Sequence, residues 1–182
     1  MQHETITTTR DCEAVQIPSG EKMTLPAGTI ATITQSLGGA YTLITDRGYM
    51  VRVAGKEVEA IGKTPPEEVQ VEGDVTKEML EEMVWDQLRT CYDPEIPVNI
   101  VDLGLVYEND VQPREDGGFD VHIKMTLTAP GCGMGPVLAA DVQQKVQSLP
   151  GVKIVDAQIV FDPVWDRSMM SEAARLQLGM YY

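Results

Sequence analysis

Basic residues are scarce in this chain. Its 182 residues include 14 Lys and Arg against 28 Asp and Glu, which gives a formal net charge of −14 at pH 7. No run of Lys and Arg offsets this charge, and phosphate backbones are repelled by it. The composition therefore argues against a nucleic-acid-binding protein.

Cysteine and histidine are also scarce, with three and two copies in the chain. Cys12, Cys91 and Cys132 include no CxxC pair, so the sequence indicates neither a disulfide framework nor a self-contained zinc site. Motifs of the forms GxxxxGK[ST], HExxH and GxSxG are absent. The chain is therefore poor in catalytic groups, which argues against an enzyme.

Long apolar runs are missing as well. The apolar runs are far shorter than the roughly 18 to 20 residues of a membrane helix. The first residues, MQHETITTTRDCE, have neither the basic start nor the apolar stretch of a signal peptide. We therefore expect no membrane association and a cytoplasmic location, where unpaired cysteines stay reduced.

Residues 1–62 carry a series of β signals. Segments rich in β-branched residues alternate with the turn sequences PSGE, PAG, LGGA and TDRG. We expect five or six short strands in a small antiparallel β domain, with residues 57–61 as the last strand. The loops hold no cluster of chemically active side chains, so binding or docking is the expected role of this domain.

Residues 63–73 are predicted to be a linker, because two consecutive prolines disrupt regular structure and charged residues flank them. Residues 74–182 then predict a helix capped by Asp74, two strands joined by the turn PREDGG, a helix, a strand and a short helix capped by Ser171. The predicted fold class is α+β, with the second domain an α/β sandwich of helices on a sheet.

Cys132 stands in the stretch LTAPGCGMGP, residues 127–136, at a predicted strand-to-helix turn. The N–H groups and positive dipole at a helix start favour a thiolate, which would make this cysteine reactive or metal-ligating. Gly131 and Gly133 leave room for a large partner to approach the backbone, and Thr128 is a candidate donor to the sulfur. The alternative is that a small, buried residue fits the turn.

A second dense stretch, residues 92–108, contains three carboxylates, those of Asp93, Glu95 and Asp102. By spacing alone they are structural residues of a loop. A carboxylate close to Cys132 would oppose thiolate formation unless it shared a metal or held a loop amide.

The other cysteines and the histidine of the strand region have simpler interpretations. Cys91 falls on the apolar stripe of the first helix and is expected in the core. Cys12 opens a predicted edge strand, and His122 falls on the exposed face of its strand.

Two motifs together carry a family resemblance. DPEIPVNIVDLGLVY at 93–107 and MTLTAPGCGMG at 125–135, followed by the tail DPVWDRSMMSEAARLQLGM, resemble the PaaD-like family of small iron–sulfur cluster assembly proteins. The resemblance implies a non-catalytic factor that places iron–sulfur clusters into recipient proteins. It also implies a cluster-binding or iron-binding residue and its support, namely Cys132 with Asp93, Glu95, Thr126, Thr128 and the glycines Gly131 and Gly133.

The resemblance further implies a transiently held iron–sulfur cluster or iron, and partners among the assembly machinery and apo-protein recipients. Such clusters usually take four cysteine ligands, so the remaining ligands would come from a homodimer, a partner or small thiols. Transfer or targeting is favoured over storage. Two alternatives stay open: a metal-free adaptor that docks recipients through the β domain, and an enzyme with Cys132 as nucleophile and His122 as base.

Overall fold

A computed structural model of the protein describes residues 3–93 and 95–180. The chain divides into two compact units, Met1–Glu67 and Glu68–Tyr182, and the division falls inside the segment predicted as a linker. No helix in the described part of the chain combines the length and the apolar character that crossing a membrane requires.

The first unit is a six-stranded antiparallel sheet. Its strands are β1 (Glu4–Thr7), β2 (Cys12–Gln16), β3 (Lys22–Leu25), β4 (Ile30–Leu37), β5 (Ala40–Thr45) and β6 (Met50–Val53). They lie side by side in the order β1-β4-β5-β6-β2-β3. Alternate apolar side chains point inward, and Leu43, Val51 and Val53 are completely buried in the core of the unit. The small antiparallel β domain expected from the sequence is confirmed.

Two local predictions for this unit are wrong, and one strand is missing from the prediction. Residues 57–61 form part of a 3-10 helix, Gly55–Ile61, rather than a strand; its buried Val58 and Ala60 are two residues apart, which imitates strand alternation. The short, threonine-rich β1 was not predicted. The strand that opens with Cys12 is interior, because β6 pairs with its second side.

The second unit alternates helices and strands. Its elements are α1 (Lys77–Leu88), β7 (Val106–Pro113), β8 (Phe119–Met125), α2 (Gly135–Gln147), β9 (Val152–Ile159) and α3 (Glu172–Gln177). Strand β8 is central, antiparallel to β7 and parallel to β9. Because parallel neighbours need a crossover, α2 connects β8 to β9. The predicted order and the α+β class are confirmed.

Both long helices contribute an apolar stripe to one core. Completely buried side chains come from α1, α2 and the inward face of β8: Leu80, Val84, Leu88, Val142, Val146 and Val121. Helix α1 begins after Thr76, whose Oγ1 accepts a hydrogen bond from the N–H of Met79 at 3.2 Å. The cap predicted at Asp74 is therefore wrong by two residues, since Thr76 is the residue whose hydroxyl reaches the first turn.

Both sequence motifs, residues 93–107 and 125–135, reach the same edge of the three-stranded sheet. The ends of β8 and β9 and the start of β7 lie at this edge, because β8 and β9 are parallel and β7 is antiparallel to β8. The N–H of Thr126 donates to the carbonyl of Leu105, and the N–H of Val160 donates to the carbonyl of Met125, both at 2.8 Å. We call this the loop edge; the carboxylate-containing segment, the cysteine segment and the chain after β9 all reach it.

Candidate functional site

Cys132 lies at the loop edge in residues 126–134, which connect β8 to α2. Gly131 has φ +81°, a conformation that favours glycine. The N–H of Gly135 donates to the carbonyl of Cys132 at 3.1 Å and closes a turn directly before the helix. The cysteine is half-buried and packs against the core of the second unit, so its thiol is partly accessible.

The start of α2 is packed tightly against the end of β8. A Cβ on Gly135 would come within 2.7 Å of Leu127 Cδ1, so glycine permits this approach. Met134, at the N-cap, contributes no side-chain hydrogen bond to the first turn. The positive end of the helix dipole is therefore directed toward the segment that carries Cys132, without a capping side chain between them.

The two predicted threonines differ in burial. Thr126 is completely buried, and its Oγ1 has no hydrogen-bond partner among the residues that the structure describes. Its backbone N–H holds the segment to Leu105, as described above. Thr128 is half-buried, two residues further toward the cysteine.

The carboxylates of the preceding loop have distinct positions. Asp93 is buried, and its Oδ1 accepts a hydrogen bond from the N–H of Glu95 at 2.9 Å, whereas the side chain of Glu95 is exposed. Asn99 and Asp102 exchange two hydrogen bonds: the Asn99 amide donates to Oδ2 at 2.7 Å, and the Asp102 N–H donates to Asn99 Oδ1 at 2.9 Å. The Asp93 carboxylate therefore holds a loop amide, which is one of the two roles that the sequence left open for it.

These acidic residues and Cys132 do not form a chelating set. Within residues 3–93 and 95–180, no group of three or more His, Cys, Asp or Glu side chains is arranged to hold a metal ion. Among these acidic residues and Cys132, the cysteine is the one that carries sulfur, a soft ligand that suits iron. A cluster bound to it would take its remaining ligands from outside these residues.

The other two cysteines are inaccessible. Cys12 and Cys91 are both 0% exposed, and the Cys91 thiol donates to the carbonyl of Gln87 at 3.6 Å. Burial, followed by the charge of Glu57, raises the pKa of Cys12 to about 11. The core position expected for Cys91 is observed, but the predicted place on the helix is wrong, because α1 ends at Leu88 and Cys91 follows it.

His122 is exposed on β8, on the face opposite the buried Val121 and Ile123, and its Nδ1 lies 3.7 Å from Asp156 Oδ2. It belongs to the strand itself, three residues before the strand ends, rather than to the loop edge. The surface position expected from the sequence is observed.

The C-terminal segment, for which the sequence predicted only a short helix capped by Ser171, is anchored at the loop edge. The Tyr107 hydroxyl donates to the carbonyl of Pro163 at 2.8 Å, and the Trp165 indole N–H donates to the carbonyl of Leu103 at 2.7 Å. The partners are 56 and 62 residues apart in the chain, so no local pattern indicates these contacts.

Gly104 shows how closely this segment approaches the preceding loop. Its φ is +74°, and an added Cβ would collide with the carbonyl oxygen of Met169 and lie 2.7 Å from the Met169 carbonyl carbon. The neighbouring Ser171 N–H donates to the carbonyl of Asp102 at 2.8 Å. The C-terminal segment therefore packs directly against the turn at Gly104, and only glycine accommodates this close contact.

Comparisons with known proteins agree with the two motifs. The model of the iron-sulfur cluster assembly protein family matches residues 81–159, which include both motifs and lie in the second unit. An "Fe-S protein maturation auxiliary factor" of Porphyromonas gingivalis is 50% identical over 99 residues, 54% of this chain and 90% of the relative. The chain belongs to the iron–sulfur cluster assembly protein family. The resemblance inferred from the motifs is confirmed.

Two further proteins are similar to about half of the chain. The "Fe-S protein maturation auxiliary factor SufT" of Staphylococcus aureus is 39% identical over 88 residues, 48% of this chain and 96% of the relative. A crystal structure of a "Domain of Unknown Function DUF59" from Bacillus anthracis is 35% identical with a TM-score of 0.50, covering 57% of this chain and 94% of that chain. The first unit lies outside the residues that the family model matches.

Proposed function

We propose that the protein is a maturation factor for iron–sulfur proteins and that Cys132 contacts the cluster being delivered. The observation that carries the proposal is accessibility: of the three cysteines, Cys132 alone reaches the surface, while the other two are 0% exposed. Thiolate sulfur is the usual ligand of iron in such clusters. The names of the relatives, Fe-S protein maturation auxiliary factors, support the same function.

In this proposal the cluster is cargo and is passed on by ligand exchange. A recipient thiol gives up its proton as its sulfur bonds to iron, and the bond between iron and Cys132 breaks. The released Cys132 thiolate then takes up a proton, and no electron is transferred. One accessible thiol per chain favours this exchange over firm storage, because the other cluster ligands would be supplied by other molecules.

The remaining site residues lie in the two segments that reach the loop edge. We assign Asp93 a positioning role, because its buried carboxylate holds the N–H of Glu95, which leaves the Glu95 carboxylate exposed to an approaching recipient. Thr126 and Thr128 carry the segment away from β8, and the unpartnered Oγ1 of Thr126 is a further polar group close to the start of that segment.

The test is the activity of aconitase, an iron–sulfur enzyme, in cells whose single copy of this protein is wild type or Cys132→Ser at equal expression. We expect Cys132→Ser to lose aconitase activity and supplied cluster to restore it in the extract. Ala129→Ser, an exposed position of the same segment, is the matched control and should keep activity. Full activity with Cys132→Ser would refute the role of the thiol.

The implied partners and location are part of the same proposal. The partners are apo-protein recipients and the machinery that assembles clusters. The three free cysteines fit a cytoplasmic location, because a reducing compartment keeps thiols unpaired.

A second candidate is an adaptor that docks through the first unit. Ile30, Ile44 and Met50 are 49%, 39% and 41% exposed. Ile44 lies opposite Met50 and opposite Thr32, two residues after Ile30, so the three apolar side chains share the outer face of the sheet. A contiguous apolar face of this kind indicates a contact surface. An adaptor role would require Ile44→Lys to abolish aconitase maturation while Cys132→Ser leaves it intact.

A further inference from the structure

The segment that follows β9 presents two large apolar side chains to solvent at the loop edge. Val164 is 71% exposed and Phe161 is 46% exposed. Single apolar side chains on a surface are ordinary. Here two of them lie within four residues, which makes their surroundings informative.

The backbone around Val164 is fixed from the inside. The carbonyl of Pro163 accepts the hydrogen bond of the Tyr107 hydroxyl, and the indole N–H of Trp165 donates to Leu103. The residues on both sides of Val164 are thus held in place by hydrogen bonds to Tyr107 and Leu103, while the Val164 side chain is exposed. Such a side chain loses little conformational freedom when a partner covers it, so it is suited to binding.

The segment also begins beside the one that carries Cys132. The N–H of Val160 donates to the carbonyl of Met125, the residue that ends β8. The Cδ1 of Ile159 lies 3.5 Å from the position of a Cβ on Gly135, the first residue of α2. A protein resting on the segment after β9 would therefore be close to the loop that holds the accessible thiol.

The negative charge around Val164 indicates which kind of partner would bind. Asp162 and Asp166 are exposed and flank Val164 on both sides, and Arg167 is the one basic residue between positions 160 and 170. Residues 68–182 as a whole contain 20 acidic and eight basic residues. A complementary surface would combine apolar side chains with Lys or Arg.

We propose that residues 161–166, the docking segment, bind apo-protein recipients through a region of the recipient that is both apolar and basic. Phe161 and Val164 make the apolar contacts, and Asp162 and Asp166 provide the negative charge. The inference rests on the proposed function, because it names the partner that brings a recipient thiol to Cys132.

The experiment measures binding of apo-aconitase to the full chain by titration calorimetry. The double variant Phe161→Ser/Val164→Ser is expected to bind at least about tenfold more weakly than wild type. Ile154→Ser is the matched control, since Ile154 is 51% exposed near the other end of β9, and it should bind within about twofold of wild type. Asp162→Asn should weaken binding about threefold at low salt and less at high salt.

Cys132→Ser separates the two proposals. We expect it to bind apo-aconitase as wild type does but to fail in maturation, whereas the double variant fails in both. Equal affinity of the double variant and wild type, or no measurable binding to wild type, overturns the docking proposal. Normal maturation with Cys132→Ser overturns the proposed function instead.

Discussion

Replacing Gly104 by alanine is expected to release the C-terminal segment from the loop edge. Gly104 has φ +74°, and a Cβ there would meet the backbone of Met169. Gly117, in the hairpin turn, provides a matched control, since its φ is +91° but a Cβ would meet nothing within 4 Å. Both substitutions place an L-residue at a positive φ, and only the first adds the collision.

The expected magnitudes follow from these contacts. An L-residue in the left-handed region costs about 1 to 2 kcal/mol, and this cost applies to both variants. Moving Met169 also loosens the hydrogen bonds that Trp165 and Ser171 donate, each contributing about 1 kcal/mol. It partly exposes Met170, whose full burial contributes about 1.5 to 3 kcal/mol. We expect Gly104→Ala to destabilise the second unit by about 2 to 4 kcal/mol more than Gly117→Ala, since the loss is partial.

Urea unfolding followed by tryptophan fluorescence is the assay. The two tryptophans of the chain, Trp85 and Trp165, both belong to the second unit, so the signal reports its unfolding. A difference between the two variants below about 0.5 kcal/mol would refute the reasoning, because differences of that size are common for surface changes that disturb no contact.

Two other predictions concern thiol accessibility and pH. Iodoacetamide at about pH 8 should modify Cys132 before Cys12 or Cys91 in the native protein, which mass spectrometry of peptides would show; the reverse order would contradict the assigned burial. Hydrogen bonds from Arg114 lower the pKa of Asp116, so the stabilisation they give is present above the ordinary value of 3.8 and is lost as pH falls through the lowered pKa. Arg114→Lys should move this pKa upward in an NMR titration, and an unchanged pKa would contradict the pairing.

Local sequence patterns were sufficient for most elements of the second unit. The stripe of Leu80, Val84 and Leu88 and the turn PREDGG depend on neighbours within a few residues, and both are where the pattern predicted them. Local patterns were insufficient where contacts with distant parts of the chain determine the secondary structure. Strand β1 becomes a strand because β4 offers it an edge, and residues 57–61 turn into a 3-10 helix although their apolar side chains alternate.

The candidate site was predictable only in part, because local patterns locate residues that lie close together in the chain and not contacts between distant residues. Cys132 and its glycines lie within one short segment whose strand-to-helix position can be inferred from periodicity. The hydrogen bonds of Tyr107 and Trp165 join residues more than fifty positions apart, and neither side chain has a distinctive local context. The anchored C-terminal segment therefore required the structure.

A single accessible thiol and a docking segment depend on each other in the proposed mechanism. One iron–sulfur bond alone does not hold a recipient in place, so the recipient has to be retained by other contacts while ligands exchange. Docking raises the effective concentration of the recipient thiol near Cys132 to something on the order of millimolar. Excess apo-aconitase should therefore restore cluster transfer by the Phe161→Ser/Val164→Ser variant in a purified reaction. The same excess should not restore transfer by Cys132→Ser, and equal rescue of both variants would show that the thiol and the docking segment are not separate parts of the site.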